Sequence, residues 1–177
     1  MNNIEQQLSQ IPQFRYIHQH LLTSAQPSAE QLAQIKAYGV DTVINLGLSN
    51  EEPVLPHQDQ HCANLGLNYL HIPIHWDCPA DEQCLLVLDL VHALVQNKIV
   101  WVHCPDNRRV SSLMYLYQQF AMAIELPDAQ EFLHHIWEPN ATWTGLIHAM
   151  TLQLQGRKAT QELEQSLQQI EPDHTGQ

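Results

Sequence analysis

Positive charge is what this chain has least of. Seven Lys and Arg stand against nineteen Asp and Glu, a formal net charge of -12. So acidic a surface gives little Coulombic attraction to a phosphate backbone or an anionic lipid leaflet, which argues against nucleic acid and membrane as partners. Long apolar runs are missing as well. No stretch approaches the roughly 18 uninterrupted apolar residues of a spanning helix, and Met1 to Gln10 carries neither a basic n-region nor an apolar h-region. The expectation is an unexported, cytoplasmic protein. Cysteine is sparse and unpaired: Cys62, Cys78, Cys84 and Cys104 contain no CxxC spacing. A chain of 177 residues can bury a core without disulfides, so reduced thiols are expected. Twelve histidines are scattered, and no HExxH motif occurs; the reading is that no metal or other cofactor is required.

The length suits one domain, expected over 1–170, with Glu171 to Gln177 as a flexible tail. Ser28 followed by Gln31 is a capping box, Leu32 and Ile35 share a face, and Gly39 stops the helix. Val40 to Leu46 then reads as a buried strand. Leu67 to Ile74 reads as a second strand, Asp81 to Gln96 as an apolar helix, and Lys98 to His103 as a third strand. Alternating elements predict an α/β fold, a mostly parallel central sheet of about four to five strands flanked by helices. Beyond Arg109 the periodicity is helical throughout, over Val110 to Ala123, Asp128 to Trp137, Trp143 to Gln155 and Ala159 to Ile170.

The segment Ile99-Val100-Trp101-Val102-His103-Cys104-Pro105-Asp106-Asn107-Arg108-Arg109 runs from a buried strand directly into a helix. In a parallel sheet, ligands bind at the carboxyl ends of strands, where the next helix directs free N–H groups and the positive end of its dipole into the loop. Two of the seven basic residues, Arg108 and Arg109, lie within five positions of Cys104. A guanidinium there would bind an oxyanion bidentately and lower the thiol pKa. Asn107 is the residue type, after Gly, that best tolerates the left-handed turn such a loop needs.

These residues resemble the signature of the cysteine-based protein tyrosine and dual-specificity phosphatases, HCxxGxxR followed by Ser or Thr, with Asn107 in the place of Gly. The loop is one residue short: four residues separate Cys104 from Arg109, and Val110 stands where the hydroxyl is expected, with Ser111 one step later. Leu22 to Ser28, Thr42 to Leu46, Tyr69 to Ile74 and Trp137-Glu138-Pro139-Asn140 with Trp143 are similar to a bacterial branch of phosphatase-like proteins. The resemblance implies a dual-specificity-phosphatase-like fold and a hydrolase for phosphate monoesters. Cys104 would be the nucleophile, and Pro105, Asp106, Asn107, Arg108 and Arg109 the phosphate-binding loop. His103 and Ser111 would support it. The general acid would be Asp77, with Asp81 as the alternative; Asp81 also reads as a cap of the following helix. Arg108 also reads as a solvated charge offsetting Asp106, and Asp106 would have to face outward to admit a dianion. The implied partner is a phosphorylated small molecule or a phosphoprotein. Because CxxGxR also describes rhodanese-like loops, a sulfurtransferase using a Cys104 persulfide is the alternative, as is an anion-binding protein without turnover.

Overall fold

The capping box is formed as the spacing predicts. In the computed structural model, which describes residues 3–170, the Ser28 hydroxyl accepts the Gln31 N–H at 3.2 Å and the Gln31 side chain accepts the Ser28 N–H at 2.9 Å. Gly39, at φ 110°, closes the helix that follows in the left-handed conformation. In chain order the elements are α1 (Asn3–Leu8), β1 (Arg15–His18), β2 (Leu21–Ser24), α2 (Ala29–Tyr38), β3 (Thr42–Asn45), α3 (Gln58–Asn64) and β4 (Asn68–His71). They continue with α4 (Asp81–Leu94), β5 (Val100–His103), α5 (Arg108–Phe120), α6 (Leu126–His134) and α7 (Ala141–Ile170).

The sheet order is β1-β2-β5-β3-β4, parallel except for the antiparallel β1 edge. β5 lies at the centre, with Trp101 level with Leu22 of β2 and Val43 of β3. Successive strand residues face opposite sides, and both sides are covered. Leu22, Val43 and Trp101 pack with Leu8, Leu32, Ile35 and Cys62 beneath α1 to α3. Leu21, Ile44, Val100 and Val102 pack beneath α4 to α7. α5 is the innermost helix, buried continuously from Arg109 to Tyr117. These two layers hold β5 and α5, and hence the turn between them, in the most enclosed part of the molecule.

The α/β architecture is therefore as expected, with differences in detail. The three expected strands each form four residues of regular ladder, and single hydrogen bonds continue past them, from the Leu46 N–H to the His103 carbonyl at 2.9 Å and from the Ile74 N–H to the Leu46 carbonyl at 3.0 Å. α1, β1, β2 and α3 have no counterpart among the sequence-derived elements; the two strands are four-residue segments with no glycine turn between them. The two helices expected at the C-terminus are one helix of 30 residues. Gly156 lies inside it with open space around its Cα; a mid-helix glycine costs about 1 kcal/mol, too little to break a helix that Arg157 ties to Asp89 of α4 at 2.9 Å. The expected tail lies outside the described residues. No helix among the described residues is long and apolar enough to cross a membrane.

Candidate active site

β5 ends at His103 and α5 begins at Arg108, so the chain reverses through Cys104, Pro105, Asp106 and Asn107. Asn107 makes the reversal possible, at φ 65° and ψ 4°. Its side chain does not cap the helix. The amide instead donates to the Gln13 carbonyl at 2.8 Å and to Thr23 Oγ1 at 3.4 Å, fastening the turn to β2 and to the segment before β1. Pro105 is held from the other side. Its carbonyl accepts the Gln26 N–H at 3.3 Å, and its ring approaches Gly47 so closely that a Cβ there would lie 2.8 Å from Pro105 Cδ.

Cys104 is fully buried with its Sγ 3.9 Å from Asp106 Oδ1, and the backbone N–H groups of Val110 and Asp106 favour the ionised sulfur. The sequence leads one to expect a thiol pushed toward thiolate. The balance runs the other way: burial pushes the Cys104 pKa up, the Asp106 charge adds to it, and the two N–H groups and Arg109 only partly oppose the rise. His103 is equally buried. The Gln58 amide donates to its Nε2 at 2.7 Å while accepting from Gln26 Nε2 at 3.0 Å, which leaves the ring proton on Nδ1 without a protein partner. Burial, with His71 nearby, lowers the His103 pKa to about 3, so the ring is neutral.

The two adjacent arginines differ in burial and in partner, although both lie against the packed Trp76 and Trp137 rings. Arg109 is 1% exposed; its Nε donates to the Ile74 carbonyl at 2.9 Å, its Nη2 to Glu51 Oε2 at 2.6 Å, and its guanidinium lies 5.2 Å from the centre of the Trp76 ring. Arg108 is half exposed, 5.7 Å from the Trp137 ring centre, and paired through Nε with Asp106 Oδ2 at 3.3 Å. Asp106 does not face away from the loop, as a dianion site would require. Its Oδ1 accepts the Arg108 N–H at 3.1 Å and stands 3.9 Å from Cys104 Sγ, because an acceptor two residues before a helix start is drawn to the free N–H groups there.

Asp77 is exposed on the segment between β4 and α4, its N–H donating to His75 Nδ1 at 3.2 Å. Ile74 and Trp76, both in contact with Arg109, anchor that segment beside the loop. Trp143 secures it further by donating from Nε1 to the Trp76 carbonyl at 3.0 Å. Asp81 is not the cap of α4. Ala80 occupies that position, and the Asp81 carboxylate accepts from Gln153 of α7. The Ser111 hydroxyl donates to the Arg108 carbonyl at 3.0 Å, as does that of Ser112 at 2.9 Å. His57 and His61, like His71 and His75, stand four residues apart in sequence, yet no three potential metal ligands gather among the described residues. Sequence reasoning missed Glu51, Gln58, Gln13, Thr23 and Gly47. Each reaches the loop from a distant segment; Thr23 lies in the Leu22 to Ser28 run already noted, though not as a loop contact, and the other four belong to no recognisable pattern.

No sequence-family model matches the chain, and no curated protein matches it in sequence. Solved structures do. A candidate phosphatase (DUF442) from Shewanella putrefaciens CN-32 superposes with a TM-score of 0.75 at 25% identity, over 84% of this chain and 97% of that one. PTPMT1, in complex with PI(5)P, gives 0.68 at 14% identity over 82% and 99% of the two chains. P. aeruginosa TpbA, in complex with phosphotyrosine, gives 0.60 at 20% identity over 78% and 90%. The fold is that of the protein tyrosine and dual-specificity phosphatases. In this phosphatase fold the five-stranded sheet and the helical second half of the chain are accounted for together.

Proposed function

We propose that this chain is a cysteine-dependent phosphatase that hydrolyses a phosphate monoester through a phosphocysteine intermediate. The observation that carries the reading is the placement of Cys104 and Arg109, both buried, at the two ends of the turn between β5 and α5, where the free N–H groups at the start of α5 lie. A phosphoryl group seated there would accept from those N–H groups and from the guanidinium donors of Arg109 not given to Ile74 and Glu51.

In the proposed reaction the Cys104 thiol gives its proton to a phosphoryl oxygen of the bound substrate and the sulfur attacks phosphorus. The S–P bond forms as the ester P–O bond breaks, and Asp77 protonates the departing oxygen. Water then attacks phosphorus, giving a proton to the Asp77 carboxylate as the S–P bond breaks, and the departing thiolate recovers its proton from the released phosphate. Glu51 and Ile74 hold Arg109 in place through both steps, and neutral His103 maintains the turn from below without exchanging protons. Solved structures of the same fold hold phosphotyrosine in one case and PI(5)P in another, which supports a phosphorylated substrate.

A second reading, anion binding without turnover, is favoured by Asp106 beside the sulfur and by the raised Cys104 pKa. Hydrolysis of p-nitrophenyl phosphate by wild type and Cys104→Ser separates the two. A vanadate-sensitive rate that falls at least a thousandfold in the variant is expected, while equal rates would sink the catalytic reading. Thiocyanate formation from thiosulfate and cyanide, with no release of nitrophenol, would establish sulfur transfer in its place.

A further inference from the structure

We infer that Asp106 is a specificity-determining residue of the proposed phosphate loop, whose carboxylate at the mouth of the anion seat favours singly charged phosphoryl groups over doubly charged ones. The inference rests on the loop being an anion seat and names the charge class of ligand it accepts.

Three contacts carry it. Oδ1 stands 3.9 Å from Cys104 Sγ, next to the position an oxyanion must take to meet the sulfur. The same oxygen occupies the Arg108 N–H, one of the free donors at the start of α5 that an anion would otherwise use. Oδ2 holds the Arg108 guanidinium at 3.3 Å, so the more accessible of the two arginines is already paired. The charged side chains in contact around the turn therefore cancel in two pairs, Arg108 with Asp106 and Arg109 with Glu51. What attracts an anion is then the dipole of α5 and the main-chain N–H groups, which a single negative charge satisfies. A second charge on the ligand gains little further attraction and meets the Asp106 carboxylate at short range. A monoester monoanion and a diester share the favoured chemistry.

The test is calorimetric binding, at one fixed pH near neutrality, of sulfate, a dianion, and dimethyl phosphate, a monoanion, to wild type and Asp106→Asn. Coulomb energy is proportional to ligand charge, so the logarithmic gain for sulfate should be about twice that for dimethyl phosphate: roughly tenfold against roughly threefold. Taking the variant-to-wild-type ratio for each ligand cancels differences in ligand size. Asp106→Glu, which keeps the charge, should stay within about twofold of wild type for both ligands. Melting curves identify any loss of folding, and Asp106→Ser replaces the asparagine variant in that case. Equal gains for the two anions, no gain, or no binding of either anion by any variant would overturn the inference. Its failure is separable from that of the catalytic reading. Hydrolysis lost in Cys104→Ser with no charge discrimination at position 106 defeats only the inference; charge discrimination without hydrolysis defeats only the catalysis.

Discussion

Glu51 Oε2 lies 2.6 Å from Arg109 Nη2, across a sequence separation of 58 residues. The pair sets a fully buried guanidinium against a carboxylate that is 30% exposed, so the carboxylate keeps part of its hydration while the arginine depends on it. The β3–α3 connection, which carries Glu51, thereby becomes a component of the loop that holds Cys104.

Glu51→Ala leaves Arg109 buried with only the Ile74 carbonyl and the Trp76 ring as partners. A loss of about 1–3 kcal/mol is expected, below the value for a fully enclosed pair because Glu51 is partly solvated. Urea denaturation measures it. Under the proposed function kcat/KM for an aryl phosphate falls at least tenfold, and Glu51→Asp, with its shorter reach, recovers only part of the loss.

Gly47→Ala places a Cβ 2.8 Å from Pro105 Cδ, and neither Pro105 nor the backbone on either side has a flexible end that can yield. Overpacking of this kind costs about 1–3 kcal/mol. Because the displaced residue adjoins Cys104, catalysis should fall by more than the fraction unfolded explains. Gly66→Ala serves as the comparison: Gly66 has φ 67° and open space around it, so it tests backbone strain without a clash. Phosphate affinity is expected to drop only for Gly47→Ala.

His103 gives a pH signature. Its folded pKa is depressed to about 3 from an ordinary 6.5, so below pH 6.5 the unfolded chain binds a proton that the folded chain refuses. Stability from this group is fully present above about pH 6.5 and is lost as pH falls toward 3. His103→Gln should flatten that acid limb in melting curves recorded between pH 4 and pH 7, at some constant cost from the lost Gln58 contact. An unchanged slope would mean that the ring is protonated in the folded state.

Much of this was legible because it is local. Ser28, Gln31 and Gly39 fix the ends of α2 through contacts within a few residues, and the β-branched run before Asn45 and the Trp101–Val102 pair mark buried strands by composition alone. The turn from Cys104 to Arg109 was legible for the same reason, since its residue types are unusual for so acidic a chain. β1 and β2 were not, because a four-residue strand takes its identity from the neighbour it pairs with. The continuity of α7 was not legible either, because Gly156 reads locally as a break, whereas its cost of about 1 kcal/mol is too small to end the helix.

The sequence by itself determined that a cysteine and an arginine stand on either side of a strand-to-helix turn, that the turn needs a residue tolerant of positive φ, and that helices cover the remainder of the chain. Only the tertiary structure decided what those groups are like. It decided that burial outweighs the local N–H groups and raises the Cys104 pKa, that Arg109 faces inward onto Glu51 while Arg108 turns outward, and that Asp106 folds back toward the sulfur. The reason is physical: residue type specifies which charges and donors exist, whereas desolvation and pairing depend on which distant segments close over them.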